Sequence, residues 1–268
     1  KVGSDGYVYV ADAGNYRIQK FTADGELVTS WDHSFDNPWF ENPWDIAVAP
    51  DSTVYVADTW NHRVQKLDAE GNLVATWGYE QYAPEGGGEP GAFYGPRGIA
   101  VGPDGRVYLA DTGNKRIQVF DPDGQFAFEW GGAGILEGQL DEPVGVAFGP
   151  DGELYVADTW NRRVQVFDAD GNFLRQWPIA GWDTELPDEK PYIALDSQGW
   201  VYVTDPGHYR VLVFNRLGNY ILSFGQYGFD DRSFALPAGI AIGNDDTIYV
   251  ADAHGNRVLV FDALEWRP

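Results

Sequence analysis

The sequence predicts an all-β fold, a six-bladed propeller of four-stranded antiparallel blades in which blade one lacks most of its inner strand. Three observations carry that prediction. One sentence recurs along the 268 residues: "VYVADAGNYRIQKF" from Val8, "VYVADTWNHRVQKL" from Val54, "VYLADTGNKRIQVF" from Val107, "LYVADTWNRRVQVF" from Leu154, "VYVTDPGHYRVLVF" from Val201 and "IYVADAHGNRVLVF" from Ile248. Its Asp falls at 12, 58, 111, 158, 205 and 252, a period of 46 or 47 residues with one step of 53. Self-similarity at such a period marks a repeat architecture, in which each unit buries its apolar faces only against its neighbours. Finally, the "VYVAD" segment is apolar on both faces (Val54 and Val56 on one, Tyr55 and Ala57 on the other), as a strand sandwiched between layers must be.

Each repeat resolves into four short strands. The first follows a proline: "PWDIAV" from Pro43, "PRGIAV" from Pro96, "PVGVAF" from Pro143, "PYIAL" from Pro191 and "PAGIAI" from Pro237. The second is the "VYVAD" run, the third is the "RVQVF" run, and the fourth ends in an aromatic at Trp31, Trp77, Trp130, Trp177 or Phe224. Gly in "PDGR", "PDGE", "AEGN" and "ADGN" supplies the positive φ that tight hairpins need. The "DxDG" at Asp121 and Asp168 has the look of a calcium loop but lacks its third acidic ligand and its closing Glu, so it reads as a turn. Four antiparallel strands cannot cover both faces of their own sheet; radial stacking does, and six copies give six blades. They run roughly over 1–31, 43–77, 96–130, 143–177, 191–224 and 237–266, in one domain spanning 1–268. Blade one begins at "KVGSDG", which matches only the tail of "AVGPDG", and the last blade ends in "FDALEWRP", a short fourth strand at best.

An Asp, an Asn, a His and an Arg stand within six residues at Asp58, Asn61, His62 and Arg63, a grouping that would pass for an active site. The repeat argues otherwise, because a catalytic residue is needed once whereas the Asp and the Arg five positions later recur in every copy. Asp12 with Arg17, Asp58 with Arg63, Asp111 with Arg116, Asp158 with Arg163, Asp205 with Arg210 and Asp252 with Arg257 are therefore expected to be structural ion pairs across one short turn. The Asn between them suits the turn's left-handed position. His62, at a position also held by Tyr16, Lys115, Arg162 and Tyr209, reads as surface.

The combination Pro-x-Gly-Ile-Ala-Val, Asp-Gly-x-Val-Tyr-Val-Ala-Asp and Asn-x-Arg-Val-Gln-x-Phe resembles the NHL repeat, a family of six-bladed propellers of the TolB-like architecture. The resemblance covers essentially the whole chain. It departs locally at His208, which replaces the Asn, at Gly255-Asn256, and at the shortened strand after Pro191. What it implies for function divides. Relatives include binding modules, some of which bind RNA through a basic face and others of which form extracellular sensor domains. They also include metal-dependent propeller enzymes such as peptidylglycine amidating lyase and gluconolactonase-like hydrolases.

Composition weighs between these. The chain carries 41 acidic and 18 basic residues, a net charge of −23, and such a field repels phosphate backbones and anionic lipid. No Lys/Arg stripe is present, so no nucleic-acid partner is expected. No stretch approaches the ~20 apolar residues of a membrane helix, so this segment is not expected to insert in a bilayer. The absence of Cys excludes disulfides and thiol nucleophiles. The four His, at 33, 62, 208 and 254, are scattered over unrelated turns, whereas a zinc site needs three or four convergent ligands. No cofactor is expected; a calcium ion held at the channel by Asp and backbone oxygens would leave no mark in the sequence. The acidic balance and the absent Met fit an exported or surface-exposed portion of a larger prokaryotic protein.

The expectation is a non-catalytic binding or scaffold module for a protein segment or a glycan. Its alternative is a metal-dependent lyase or lactonase-type hydrolase at the channel mouth. In either case the site falls on the face where strand four passes to the next strand one. There the connections are long and rich in aromatics and acids: "DHSFDNPWFEN" from Asp32, "YEQYAPEGGGEPGAFYG" from Tyr79, "GWDTELPDEK" from Gly181 and "QYGFDDRSFAL" from Gln226. Variation on one rim of a regular scaffold is where binding resides. Candidate ligand-binding residues are Trp44, Asp45, Trp60, Arg97, Trp160 and Tyr192. Asp45 stands where three other inner strands carry Gly98, Gly145 and Gly239, and an Asp45–Arg97 ion pair bridging two blades is the structural reading of that pair.

Overall fold

The computed structural model describes residues 1–32, 40–83, 88–182 and 190–263. Parts of three connections (33–39, which includes His33, 84–87 and 183–189) and the stretch 264–268, where a short last strand was expected, lie outside the described residues.

Six small antiparallel sheets follow one another in chain order, the blades of a six-bladed propeller. Blade one has three strands, β1 (Val8–Asp12), β2 (Arg17–Phe21) and β3 (Leu27–Trp31). Blade two is β4 (Pro43–Val48), β5 (Val54–Asp58), β6 (Arg63–Leu67) and β7 (Leu73–Trp77). A two-residue parallel pair, β8 (Tyr79–Glu80) with β9 (Ala92–Phe93), ties the two ends of the next connection together. Blade three is β10 (Ile99–Val101), β11 (Val107–Asp111), β12 (Arg116–Phe120) and β13 (Phe126–Gly131). Blade four is β14 (Pro143–Phe148), β15 (Leu154–Asp158), β16 (Arg163–Phe167) and β17 (Phe173–Pro178). Blade five is β18 (Ile193–Leu195), β19 (Val201–Asp205), β20 (Arg210–Phe214) and β21 (Tyr220–Phe224). Blade six is β22 (Pro237–Ile242), β23 (Ile248–Asp252) and β24 (Arg257–Phe261). The residues group into two compact units, Lys1–Pro143 and Val144–Pro268.

Blade one lacks its inner strand apart from a rudiment. Val2 bridges to Val8, and Lys1 exchanges backbone hydrogen bonds with Tyr9.

The core lies between blades rather than within them, because each second strand is apolar on both faces. In the first unit, Tyr9, Ile18 and Trp31 of blade one pack with Ile46, Val54 and Val56 of blade two. The opposite face of blade two, with Tyr55 and Val64, packs on Phe93, Leu109 and Phe120. The second unit repeats the plan: Tyr155 and Val166 pack with Val203 and Leu212, and Tyr202 and Val213 with Ile240 and Val250. Each fully buried side chain of this kind contributes about 1.5–3 kcal/mol.

Fourth-strand tryptophans lock successive blades. A Cβ on Gly71 would lie 2.3 Å from Trp31 Nε1, one on Gly124 would lie 2.6 Å from Trp77 Cε3, and one on Gly218 would lie 2.4 Å from Trp177 Cδ2. Each indole therefore seats on the bare backbone of the next blade's outer turn, a position only glycine can fill. The turns themselves are built by Asp. Asp68, Asp121 and Asp168 each accept two backbone N–H groups within the loop that follows, and Asn72 and Asn172 add a side-chain bond to Asp68 and Asp168.

Two local expectations are corrected. The left-handed residue between second and third strands is not the Asn but the residue after it: Tyr16, His62, Lys115, Arg162 and Tyr209 have φ of 51–57°. The Asn is instead drawn inward by the carboxylate, and only in blade six, where the order reads Gly255-Asn256, does an Asn (φ 50°) occupy the left-handed position. Nor is His62 a plain surface residue: its ring stacks on Tyr94 at 5.2 Å and 19°.

Candidate functional site

The repeated Asp is a docking point for the chain arriving from the preceding blade. Asp58 accepts from Glu41 N–H at 2.6 Å, Asn61 Nδ2 at 2.9 Å, Arg63 Nε at 2.7 Å and Gln65 Nε2 at 2.8 Å. Asp111 accepts from Tyr94 N–H, Asn114, Arg116 Nε and Gln118 in the same way. Asp252 accepts from the N–H groups of Ala235 and Leu236 as well as Arg257 Nε. Asp12 pairs with Arg17 at 2.7 Å, Asp158 with Arg163 at 2.6 Å and Asp205 with Arg210 at 2.7 Å. The Arg can extend the hold. Arg116 donates to the carbonyls of Gly88, Glu89 and Ala92, and Arg257 to those of Phe229, Asp230 and Ser233. A carboxylate with four donors around it has few lone pairs left for substrate. The Asp–Asn–Arg grouping thus holds the arriving connection at the rim.

One stretch of that rim breaks the symmetry. In blades one, two and four the repeated Asn binds its Asp. In blade three Asn114, fully buried, also clamps the connection above it: Nδ2 donates to Gln81 C=O at 2.9 Å and Oδ1 accepts from Ala83 N–H at 2.7 Å. Gln81 N–H donates to Phe93 C=O, and Gln81 Oε1 accepts from Glu89 N–H. Tyr82, between the two clamped peptides, is 57% exposed. An aromatic ring is thus held out to solvent on a fixed backbone.

Tyr82 is the outer member of a row of rings. Its centroid lies 4.4 Å from that of Tyr94, Tyr94 stacks on His62, and His62 meets the Trp60 indole edge-on at 6.4 Å. Trp60 is 40% exposed, and Tyr79, next to Glu80 in sequence, is exposed as well. His62 Nδ1 accepts from Gly95 N–H at 3.1 Å, which leaves Nε2 as the N–H and places it 3.9 Å from Glu80 Oε1. Burial lowers the His62 pKa, against the opposing pull of Glu80 and Glu41, so the imidazole is neutral. The row brings together aromatic rings, one exposed carboxylate and one largely buried imidazole N–H.

The other predicted residues separate. Trp44, Asp45 and Arg97 come together, though not as an Asp45–Arg97 pair. Asp45 is buried, accepts from Ile46 N–H and from Ile99 N–H of the next inner strand, and pairs with Lys1 Nζ at 3.3 Å. Burial pushes its carboxyl up, with Lys1 and the two N–H groups pulling the other way. Arg97 lies over the Trp44 ring at 4.1 Å. The reason Asp fits where Gly recurs is visible at Gly145, where a Cβ would come 2.7 Å from Tyr192 Cα on the neighbouring inner strand; Asp45 turns the same proximity into a hydrogen bond. Trp160 and Tyr192 belong to the second unit. Trp160 is exposed with Lys190 Nζ 5.5 Å from its ring centroid, and Tyr192 is buried in the core. Sequence reasoning passed over Tyr82, Tyr94 and the Asn114 clamp, along with the exposed apolar tips Ile135, Leu136, Tyr227 and Phe229. A cleft of about 340 Å³ on the second unit's short-turn side, lined by Asp196, Ser197 and Asp246, has its carboxylates engaged: Asp246 accepts from Ser197 N–H and Oγ, and Asp196 from Tyr202 Oη.

Comparison with known proteins agrees with this architecture. Four stretches, 40–67, 93–120, 140–167 and 234–261, match the NHL repeat. Protein brain tumor of Drosophila melanogaster is 44% identical over 50 residues, 19% of this chain and 5% of that protein, so the match spans a small part of its length. Among solved structures, a streptogramin B lyase superposes with a TM-score of 0.66 at 18% identity, covering 96% of this chain and 76% of that one. A chain of the nidogen/laminin complex does so with a TM-score of 0.66 at 18% identity, covering 96% and 89%. At such identities the likeness is one of fold.

Proposed function

Since the chain is an NHL-repeat propeller of six blades, we propose that it is a binding or scaffold module, the exposed portion of a larger protein, and that it recognises a protein segment or glycan on its long-connection face. The observation that supports the reading is the Trp60–His62–Tyr94–Tyr82 row, with Tyr82 fixed by Asn114 yet turned to solvent. Exposed aromatics on a rigid backbone lose little conformational entropy on binding, which is why such rings serve as anchors. A paired screen tests it: the parent and the Trp60→Ala/Tyr82→Ala double variant are applied to the same glycan array and peptide library. Ligands of the parent should be lost by the variant; a ligand set that survives unchanged refutes the placement.

A second reading keeps Asp45 in view, a buried carboxylate on an inner strand where other copies have Gly. A divalent cation there would suit a lyase or lactonase-type hydrolase; one solved protein of this fold is named a streptogramin B lyase and another a gluconolactonase. Calorimetric titration with Ca²⁺ and Zn²⁺ separates the two. Stoichiometric binding abolished by Asp45→Asn favours the enzyme; binding unaffected by that change removes Asp45 from any metal site.

A further inference from the structure

The aromatic row leaves open which ligand chemistry it serves, since flat rings with a carboxylate suit both a sugar and a cationic side chain. The local charge distribution distinguishes them. Glu80 is 68% exposed and stands on the short strand β8, one residue from exposed Tyr79 and two from Tyr82. The basic side chains flanking the row are already engaged: Arg63 with Asp58, Arg116 with Asp111 and Glu129, and Lys115 with Asp141 at 3.0 Å. His62, which among the described residues of the row could turn cationic near neutral pH, is held neutral by burial and by its bond from Gly95. Over the whole chain the net charge is −23. The rim therefore presents electron-rich ring faces beside an exposed carboxylate, in a field that concentrates cations and repels anions.

We infer that the Tyr82 end of the row is a seat for an arginine-type cation of a basic peptide segment, the guanidinium lying on the Tyr82 ring and its N–H groups facing Glu80. The inference rests on the binding-module reading above and narrows it to a ligand class. A guanidinium gains twice here. It stacks on an aromatic face with its weakly hydrated plane, and it forms charge-assisted hydrogen bonds to a carboxylate through its edge. A neutral sugar uses only the ring and one or two hydrogen bonds, and gains nothing from the surrounding field. Arg97 on Trp44 shows the same stacking inside this chain, with the guanidinium 4.1 Å from the ring centroid. The seat also explains why Asn114 clamps the peptides on both sides of Tyr82: a mobile ring would have to be ordered by its ligand.

The test uses two blocked peptides of one shape, Gly-Arg-Gly-Arg-Gly and its citrulline counterpart, which keeps the planar head group but not the charge. Binding to the parent chain is followed by calorimetry and by NMR shifts at low and at physiological salt. The arginine peptide should bind at least tenfold more tightly than the citrulline peptide, and its affinity should fall with salt. Tyr82→Ala and Glu80→Gln should each weaken it fivefold or more, Tyr82→Phe should retain it, and Glu26→Gln, on the distant outer turn of blade one, should leave it unchanged. Thermal melts confirm that each variant is folded. Equal binding of the two peptides, or a loss in Glu26→Gln as large as in Glu80→Gln, overturns the cation seat; the second result would mean attraction by diffuse charge alone. If a neutral oligosaccharide or the citrulline peptide binds in a Tyr82-dependent way, the binding-module reading stands and the cation inference falls. If no probe depends on Tyr82, both fall.

Discussion

Replacing Arg116 by Ala should be among the most damaging single changes to this fold, and replacing Arg17 by Ala among the mildest of the equivalent changes. Both residues occupy the same place in the repeat and pair with the same Asp, at 2.9 Å and 2.7 Å. Their surroundings differ. Arg116 and Asp111 are 1% and 0% exposed, and the guanidinium also holds Glu129 and three carbonyls of the arriving connection. Arg17 and Asp12 are 33% and 24% exposed. Removing one partner of a buried pair costs about 3–5 kcal/mol, whereas an exposed pair is worth about 0–1 kcal/mol. For a chain of this size that corresponds to a drop in Tm of roughly 6–20 °C for Arg116→Ala and under about 4 °C for Arg17→Ala. The cost should also depend on pH. Burial raises the Asp111 carboxyl above its usual range, opposed by Tyr94 N–H, Asn114 and Arg116. A carboxyl whose folded pKa is raised loses stability as pH rises from its unfolded value through its folded value, and deleting the guanidinium pushes the folded value higher still. The penalty of Arg116→Ala should therefore be smaller at pH 5 than at pH 8. Melting followed by circular dichroism at both pH values is the assay. Equal losses for the two variants, or a penalty that grows on acidification, would refute the reasoning.

Two further predictions concern the turns. Gly124→Ala should cost more than Gly25→Ala, although both glycines have nearly the same φ, 84° and 85°. The backbone cost of about 1–2 kcal/mol is common to both, and only at 124 does the new methyl meet the Trp77 ring, adding about 1–3 kcal/mol; indistinguishable urea midpoints would dismiss the indole seat. His62 should make the parent acid-sensitive. Its pKa is lowered by burial, so its contribution is present above about pH 6.5 and is lost as pH falls below that. The parent should lose more stability between pH 7.5 and 5 than His62→Gln does, and parallel stability curves would contradict the buried, neutral imidazole.

The blades were legible because their causes are local. Alternating apolar faces, a Pro at the start, a Gly at most turns and an aromatic at the end are read within one repeat, and the structure places the strands on those segments. The turn after the second strand was only partly legible. Asn favours left-handed backbone in isolation, but beside a buried carboxylate its amide is worth more as a donor, and the left-handed place passes to the residue after it, whatever its type. The rim was the least legible. Tyr82 and Tyr94 sit in a Gly-rich connection with no period to reveal their partners, and the clamp on Tyr82 comes from Asn114, 31 residues beyond Ala83. Asp45 was noticed because it interrupts a repeated Gly. Its partner Lys1 could not be, since nothing near Asp45 in sequence announces how the chain start runs.

The seating of Trp31, Trp77 and Trp177 on the turn glycines of the blades that follow them has a consequence for how such a chain can change. The contact fixes the spacing of neighbouring blades through residues that both lie outside the connection between them. The connection is thereby relieved of any duty as a spacer. It can lengthen, shorten or exchange its sequence while the blades keep their distance, provided its last residues still reach the waiting Asp. A module made this way separates two kinds of inheritance: the blades can be duplicated as fixed stock, and each rim segment can be exchanged like an interchangeable part. For engineering, the exposed residues of the span from Tyr79 to Gly91 are a natural cassette, with buried Ala92 and Phe93 kept as core, and the Trp77–Gly124 contact is the fixture to leave untouched when they are swapped.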